Sequence, residues 1–178
     1  MKSLAMLAAA ALLVGLAAFG VACKNGGGGG LSLEEYFQKV DEVQENNDAT
    51  FATQEASQGE PAADASGEEL AALLRDSITA SADTLRDTAS KADDIDPPDE
   101  VAGPHADIVA AINASVAALD DMADAIPDTV TLADMEQGTF FDNEELNAAF
   151  DSLATACNTL ETIAADNGIT VDLNCDEE

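Results

Sequence analysis

The chain has 178 residues, with 36 acidic and 6 basic side chains and a net charge of −30. A field this negative repels nucleic acid and anionic lipid surfaces, and the chain has no basic stripe, so we expect no nucleic-acid partner. We interpret the negative charge mainly as a source of solubility. The alternative interpretation is that it serves to capture cations or a basic partner. Aromatic residues make up 4% of the chain and tryptophan is absent, so we do not expect a platform that stacks on carbohydrate.

The N-terminal segment has the features of a secretory signal peptide. Lys2 gives a positively charged start, and the apolar block Leu4–Phe19 has the length of a signal-peptide core rather than of a membrane-spanning helix. Small residues at Gly20 and Ala22 predict cleavage just before Cys23. We therefore predict that residues 1–22 are a signal peptide.

The sequence Gly20-Val21-Ala22-Cys23 resembles the lipobox of bacterial lipoproteins, in which the cysteine after the cut is diacylated and becomes the new N-terminus. The resemblance implies that Cys23 is lipidated. The glycines that follow, Gly26–Gly30, favour this reading because a flexible tether lets an anchored domain stand off its membrane. We therefore predict that residues 23–30 are a lipidated cysteine and its tether. Ordinary signal peptidase would cut the same bond, so a freely secreted protein stays open, as does a retained membrane helix.

Four amphipathic helices are predicted in residues 31–178, which we expect to form a single domain. The first opens with a capping box of Ser32 and Glu35. Its apolar stripe consists of Leu33, Tyr36, Phe37, Val40, Val43 and Phe51. A polar loop over residues 58–67 precedes the second helix, which Ser66 and Glu69 open in the same way. The stripe of the second helix is Leu70, Leu73, Leu74, Ile78, Leu85, Ala89, Ala92 and Ile95, and Asp96-Pro97-Pro98 ends it.

The third helix is predicted over Asp99–Ile126, with a kink or a restart at Pro104 because proline lacks a backbone donor. An irregular stretch, Asp128–Phe141, follows, with one short turn opened by Thr131. Asp142 or Asn143 is expected to cap the last helix. The stripe of this helix is Leu146, Phe150, Leu153, Cys157, Leu160 and Ile163, and Asn167-Gly168 ends it.

These elements predict an all-α fold, an antiparallel four-helix bundle. The alternation of Ile169–Cys175 predicts a short extended tail. A tail of this length can fold back along the last helix to bring Cys175 to Cys157, and we predict a structural disulfide between them. The alternatives are weaker, because a metal site would want more than two thiols and a redox pair usually has the spacing Cys-x-x-Cys.

The C-terminal sequence also resembles that of a group of helical lipoproteins from Chloroflexota-like and actinobacterial envelopes. The pattern that carries the resemblance is Ala156-Cys157-x-x-Leu160-x-x-Ile163-Ala164-x-x-Asn167-Gly168-Ile169-x-Val171-Asp172-Leu173-x-Cys175. Two shorter landmarks are Leu31-x-Leu33-Glu34-Glu35-Tyr36-Phe37 and Asp96-Pro97-Pro98-x-Glu100-Val101-x-x-x-His105. The group has no assigned activity, so the resemblance implies a location and a fold and no chemistry.

Few residues offer catalytic or ligand chemistry. His105 is the only histidine, and its place on an apolar stripe indicates a structural, partly buried side chain. No serine lies in Gly-x-Ser-x-Gly, and one histidine cannot supply the two Glu-x-x-His motifs of a di-metal bundle. Acidic clusters, which we interpret as solvated faces, occur at Asp93-Asp94-x-Asp96 with Asp99, at Asp120-Asp121, and at Asp172-x-Asn174-x-Asp176. No catalytic residue, metal or cofactor is predicted.

The sequence therefore predicts a non-enzymatic, lipid-anchored protein of the cell envelope that acts as an interaction or structural module. Its expected partners are the membrane, through the lipid on Cys23, and an envelope protein or cations. The alternative is a lipoprotein that captures cations or a small apolar molecule between its helices. An enzyme is the third and weakest hypothesis.

Overall fold

The computed structural model describes residues 30–57, 62, 64–138, 140, 142–171, 173 and 175, and only the backbone of residues 55, 136 and 137. Five helices and no strand are found in these residues, which confirms the all-α prediction for this part of the chain. The helices are α1 (Leu33–Ser57), α2 (Gly67–Asp93), α3 (Ala102–Ala125), α4 (Leu132–Gln137) and α5 (Glu144–Asp166). None of them is long and apolar enough to cross a membrane.

Capping boxes open α1 and α2 where the sequence predicts them. The Glu35 amide donates to the Ser32 hydroxyl over 3.3 Å, and the Glu35 carboxylate accepts from the Ser32 amide over 2.9 Å. Ser66 and Glu69 make the same exchange at the start of α2. Each box satisfies backbone donors that have no partner within the helix, which fixes where the helix begins.

Pro104 neither kinks nor restarts α3, so that prediction is wrong. The helix runs without interruption from Ala102, and Pro104 lies in its first turn. The first backbone N–H groups of a helix have no acceptor within it, so a proline there breaks no hydrogen bond. The Val101 carbonyl accepts the first bond, from the His105 amide over 2.9 Å, and the helix begins three residues later than Asp99.

Side chains also cap the last two helices. Thr131 and Asp134 form a capping box that makes the predicted short turn a helix of 6 residues, α4. Asn143, and not Asp142, caps α5 by accepting from the amides of Glu145 and Leu146. Gly168 follows α5 with a φ of 72°, a left-handed conformation that glycine adopts without strain.

Close helix packing joins α2 to α3, α3 to α5 and α1 to α2 in the described part of the chain. The core has two clusters. The Leu74 cluster contains Leu70, Ala71, Leu74, Ile78, Ala82, Ala118, Leu119, Met122, Ala123, Ile126, Val130, Met135 and Leu146. The Tyr36 cluster contains Tyr36, Phe37, Ile95, Val101, Leu160, Ala164 and Leu173. The second cluster joins the start of α1 to the ends of α2 and α5, so residues far apart in sequence close this part of the bundle.

The buried face of α5 includes alanines that the predicted stripe omits. Ala149, Ala156 and Ala164 are buried, whereas Phe150 is 45% exposed. The predicted stripe is confirmed for Leu146 and Leu160, which are buried, and is wrong for Phe150. Small side chains on a buried helix face allow a neighbouring helix to approach closely.

Candidate functional site

The only histidine and the only tyrosine of the chain form a buried pair. The Oη atom of Tyr36, the fourth residue of α1, lies 3.1 Å from Nδ1 of His105, the fourth residue of α3. Their rings meet edge to face, with centroids 5.6 Å apart. Tyr36 is fully buried and His105 is 7% exposed. When the ring proton is on Nε2, the tyrosine donates to Nδ1.

Burial controls the protonation of both groups. It lowers the pKa of His105 from its ordinary value of 6.5, while a backbone hydrogen bond with Ala92 and the carboxylate of Asp93 oppose this more weakly. Burial also raises the pKa of Tyr36 well above its usual range. Both side chains are therefore favoured in their neutral forms. Through Tyr36, His105 and the hydrogen bond with Ala92, the pair connects α1, α3 and α2. This agrees with the interpretation of His105 as a structural residue.

An open cleft of about 490 Å³ lies beside His105. Its lining includes Asp93, the last residue of α2, Asp96, three residues further on, and Asn113 on α3. The two carboxylates are exposed, so water screens their field. This cleft is the place where the structure brings the histidine and part of the first acidic cluster together.

The disulfide predicted from the sequence is present. Cys157 of α5 is bonded to Cys175, with the two Cα atoms 5.5 Å apart. Between them the chain returns along α5, and Leu173 is buried in the Tyr36 cluster. The Leu173 amide donates to Glu161 of α5 over 2.9 Å, and its carbonyl accepts from Gln44 of α1 over 3.4 Å. The tail therefore contacts both α1 and α5 at Leu173.

Among the remaining candidate residues, those that the structure describes form no further site. Cys23, predicted to carry lipid, lies outside the described residues, as do Asp172, Asn174 and Asp176 of the third acidic cluster. Among the residues that the structure describes, no three His, Cys, Asp or Glu side chains are grouped so that they could hold a metal ion. Asp120 of the second cluster instead pairs with Arg86 of α2 over 2.9 Å.

Two contacts between helices have no clear signal in the sequence. Arg75 of α2 donates over 3.0 Å to the carbonyl of Ile126, the residue that ends α3. Gln54 of α1 donates to the Ala80 carbonyl over 3.0 Å and to the Thr84 hydroxyl of α2 over 2.6 Å. Both use long polar side chains whose reach depends on how the helices are placed, so helical periodicity alone could not have identified the partners.

Comparison with known proteins finds no family model that matches this chain, and no curated protein or solved structure that is similar to it.

Proposed function

We propose that the protein is a lipid-anchored component of a bacterial cell envelope whose helical bundle is a non-enzymatic interaction or structural module. The observation that carries this proposal is the Cys157–Cys175 disulfide. Structural disulfides form and persist in oxidising compartments outside the cytoplasm. This agrees with a signal peptide over residues 1–22 and with lipid on Cys23.

We further propose that α1, α2, α3 and α5 form an antiparallel four-helix arrangement. Contacts between α1 and α2 support it, since Asn46 of α1 accepts from Lys91 over 2.8 Å while Gln54, further along α1, reaches back to Ala80. The Tyr36 cluster supports it as well, because it gathers the beginnings of α1 and α3 with the ends of α2 and α5. Helices that alternate in direction have this distribution of ends.

The proposed tether would leave the domain beside an acidic loop. A Cβ atom built on Gly30 would lie 3.9 Å from a carboxylate oxygen of Asp96. Fully extended, residues 23–30 span about 28 Å, whereas fields in physiological salt decay over about 8 Å. A tether of that length lets the acidic domain remain beyond the repulsive range of anionic lipid headgroups while the acyl chains hold it to the membrane.

A second candidate function, capture of cations or of a small apolar molecule, is favoured by the cleft beside His105, where Asp93 and Asp96 supply carboxylates. Isothermal titration of the purified domain with calcium chloride, in moderate salt, tests the cation version. Saturable heat that disappears in the double variant Asp93→Asn/Asp96→Asn would support it. A titration without saturable heat would leave the interaction module as the better proposal.

The intact mass of the protein from a native-like bacterial host tests the anchor. We expect a chain that begins at Cys23 and carries added acyl mass, that gains two hydrogens on reduction, and that sediments with membranes. Cys23→Ala is the matched control and should remove the acyl mass. An unmodified Cys23 in protein recovered from the medium would contradict the anchor and favour secretion.

A further inference from the structure

Asn167 and Gly168, which end α5, form an Asn-Gly sequence. In a free peptide this sequence is chemically unstable. The glycine nitrogen attacks the side-chain carbonyl carbon of the asparagine, closes a five-membered succinimide ring and expels ammonia, and glycine has no Cβ atom to hinder the attack. Water then opens the ring to aspartate or isoaspartate. Whether Asn167 reacts therefore depends on what the fold does to it.

The conformation of Asn167, and not burial, keeps it from reacting. Asn167 and Gly168 are both exposed to solvent. The ψ angle of Asn167 is 6°, and at this angle the Gly168 nitrogen is turned away from the side-chain carbonyl carbon, so ring closure needs a rotation about the Cα–C bond. The Asn167 side-chain amide donates to the Ile163 carbonyl over 2.9 Å, and the Gly168 amide donates to the Ala165 carbonyl over 3.0 Å. These hydrogen bonds hold both reacting groups in the unreactive geometry.

The tail holds this helix end in place from the other side. The Ile169 amide donates to the Ala164 carbonyl over 2.9 Å, which completes a Schellman arrangement with the bond from Gly168. Apolar side chains of the tail pack in or against the Tyr36 cluster, namely Ile169, Val171 and Leu173. The disulfide then fixes the end of the tail to α5. The rotation that closes the ring would redirect the chain after Asn167, so it requires the tail to leave its position.

We propose that Asn167 is a deamidation site controlled by the Cys157–Cys175 disulfide. While the disulfide is closed, the tail and the hydrogen bonds at the end of α5 prevent the reaction. A dithiol reductant transfers two electrons and two protons to the disulfide, becomes a disulfide itself and leaves two thiols that no longer hold the tail. The Gly168 nitrogen then loses its proton and bonds to the side-chain carbon of Asn167, and the side-chain nitrogen leaves as ammonia.

Reduction of the disulfide is reversible, whereas the deamidation is not. Both products place a carboxylate at the C-terminal end of α5, where the helix dipole disfavours negative charge. An ionised carboxylate cannot donate to the Ile163 carbonyl as the amide of Asn167 does, and isoaspartate also adds a carbon atom to the backbone. The original helix end therefore does not re-form, and the modification marks chains whose disulfide has been opened. This inference goes beyond the proposed anchor and interaction module.

Peptide mapping by mass spectrometry tests the proposal on the full disulfide-bonded mature chain, incubated in mildly alkaline buffer with and without dithiothreitol. We expect Asn167 to deamidate at least about tenfold faster with the reductant. Cys157→Ser/Cys175→Ser should react at the faster rate in both buffers, which separates release of the tail from any effect of the reductant on the reaction. A synthetic peptide of residues 163–173 gives the rate without the fold. Asn147, which is exposed on α5 and followed by alanine, is the internal control and should remain unmodified.

Reoxidation after the incubation tests whether the step is one-way. We expect the Leu173 amide, which donates to Glu161, to remain unprotected from hydrogen exchange in the deamidated fraction. Asn167→Gln, whose longer side chain cyclises far more slowly, should regain this protection after the same treatment. Full recovery of protection by deamidated chains would overturn the one-way step.

Equal deamidation rates in the oxidised and the reduced chain would overturn control by the disulfide. An Asn167 that stays intact in the reduced chain while the synthetic peptide reacts would also overturn it, because the hydrogen bonds at the end of α5 would then be sufficient. Circular dichroism follows the helices throughout, and their loss on reduction would assign the reaction to global unfolding and contradict the proposal. None of these results bears on the lipid anchor, which the intact mass tests separately.

Discussion

The hydroxyl of Tyr36 lies 3.1 Å from Nδ1 of His105, although 69 residues separate them in sequence. Tyr36→Phe removes one partner and leaves the other buried. Because an unsatisfied buried polar atom costs about 1 to 3 kcal/mol, we expect the free energy of unfolding to fall by about that amount. Urea denaturation followed by circular dichroism measures it.

A double-mutant cycle separates the hydrogen bond from the packing of the two rings. We expect Tyr36→Phe/His105→Leu to be less destabilised than the sum of the single variants, since the double variant leaves no polar atom unpaired. A coupling free energy near zero would mean that the contact contributes only through packing. Phe37→Leu, next to the pair in the same cluster, serves as a control for loss of aromatic volume.

The same pair makes stability depend on pH. Burial lowers the folded-state pKa of His105 below its ordinary value of 6.5, so the unfolded chain binds a proton before the folded chain does. This contribution to stability is complete above pH 6.5 and is lost as the pH falls from there toward the lowered value. We expect the urea midpoint to decrease between about pH 8 and about pH 5.

His105→Gln isolates this effect, because its side chain can hydrogen bond and does not titrate in that range. The difference between the midpoints of the native protein and the variant should shrink as the pH falls. Carboxylates do not mimic the effect. Capping hydrogen bonds lower the pKa values of Glu35, Glu69 and Asp134 further below that of histidine. Burial raises the pKa of Asp48, which stabilises the fold as the pH falls and so has the opposite sign. A difference that is constant with pH would contradict the assignment to His105.

The disulfide holds the tail against α1 and α5. Cys157→Ser/Cys175→Ser opens a loop with a sequence separation of 18 residues, and the chain-entropy relation gives a loss of about 3 kcal/mol in the free energy of unfolding. We also expect the Leu173 amide, which donates to Glu161, to lose its protection from hydrogen exchange. Mass spectrometry of C-terminal peptides measures this. Reduction of the native protein should reproduce both changes, and a Leu173 amide still protected after reduction would show that packing alone holds the tail.

Local signals in the sequence predicted most of the helices and the covalent bond. Ser32, Ser66 and Thr131 are each followed three residues later by an acidic residue, and the paired cysteines have a helix and a returning tail between them. These features depend on neighbours in the chain, so they can be read before the helices are placed. The effect of Pro104 on α3 could not be predicted in this way. A proline in the first turn and a proline in the helix interior differ only in where the helix begins.

The candidate sites depended on tertiary placement. His105 was recognisable as structural from its apolar stripe, but its partner Tyr36 lies on another helix. Phe150 is predicted in the core because it is large and apolar, whereas the structure buries Ala149 and Ala156 and leaves Phe150 45% exposed. Which face of a helix is buried depends on how closely the neighbouring helix approaches, and this distance cannot be derived from the periodicity of the sequence.

Two glycines in the first turns of α2 and α3 differ in what surrounds them. The Gly67 carbonyl accepts from the Val130 amide over 3.0 Å, and a Cβ atom at Gly67 would lie 3.1 Å from the Val130 carbonyl oxygen and 3.3 Å from Cβ of Thr129. Around Gly103, no atom other than its chain neighbours and its own helix backbone lies within 4 Å of a Cβ position. A methyl group therefore has space at Gly103, whereas at Gly67 it would contact the backbone of Val130.

We expect Gly67→Ala to lower the free energy of unfolding by about 1 kcal/mol, because the hydrogen-bonded backbone at Val130 must shift away from the added methyl group. Gly103→Ala should instead raise it by about 0.4 to 1 kcal/mol, since alanine restricts the unfolded chain and fits a helix better than glycine. The two variants add the same methyl group, so urea denaturation of the pair separates crowding from chain entropy. Equal effects with the same sign would contradict the close packing of Val130 against Gly67.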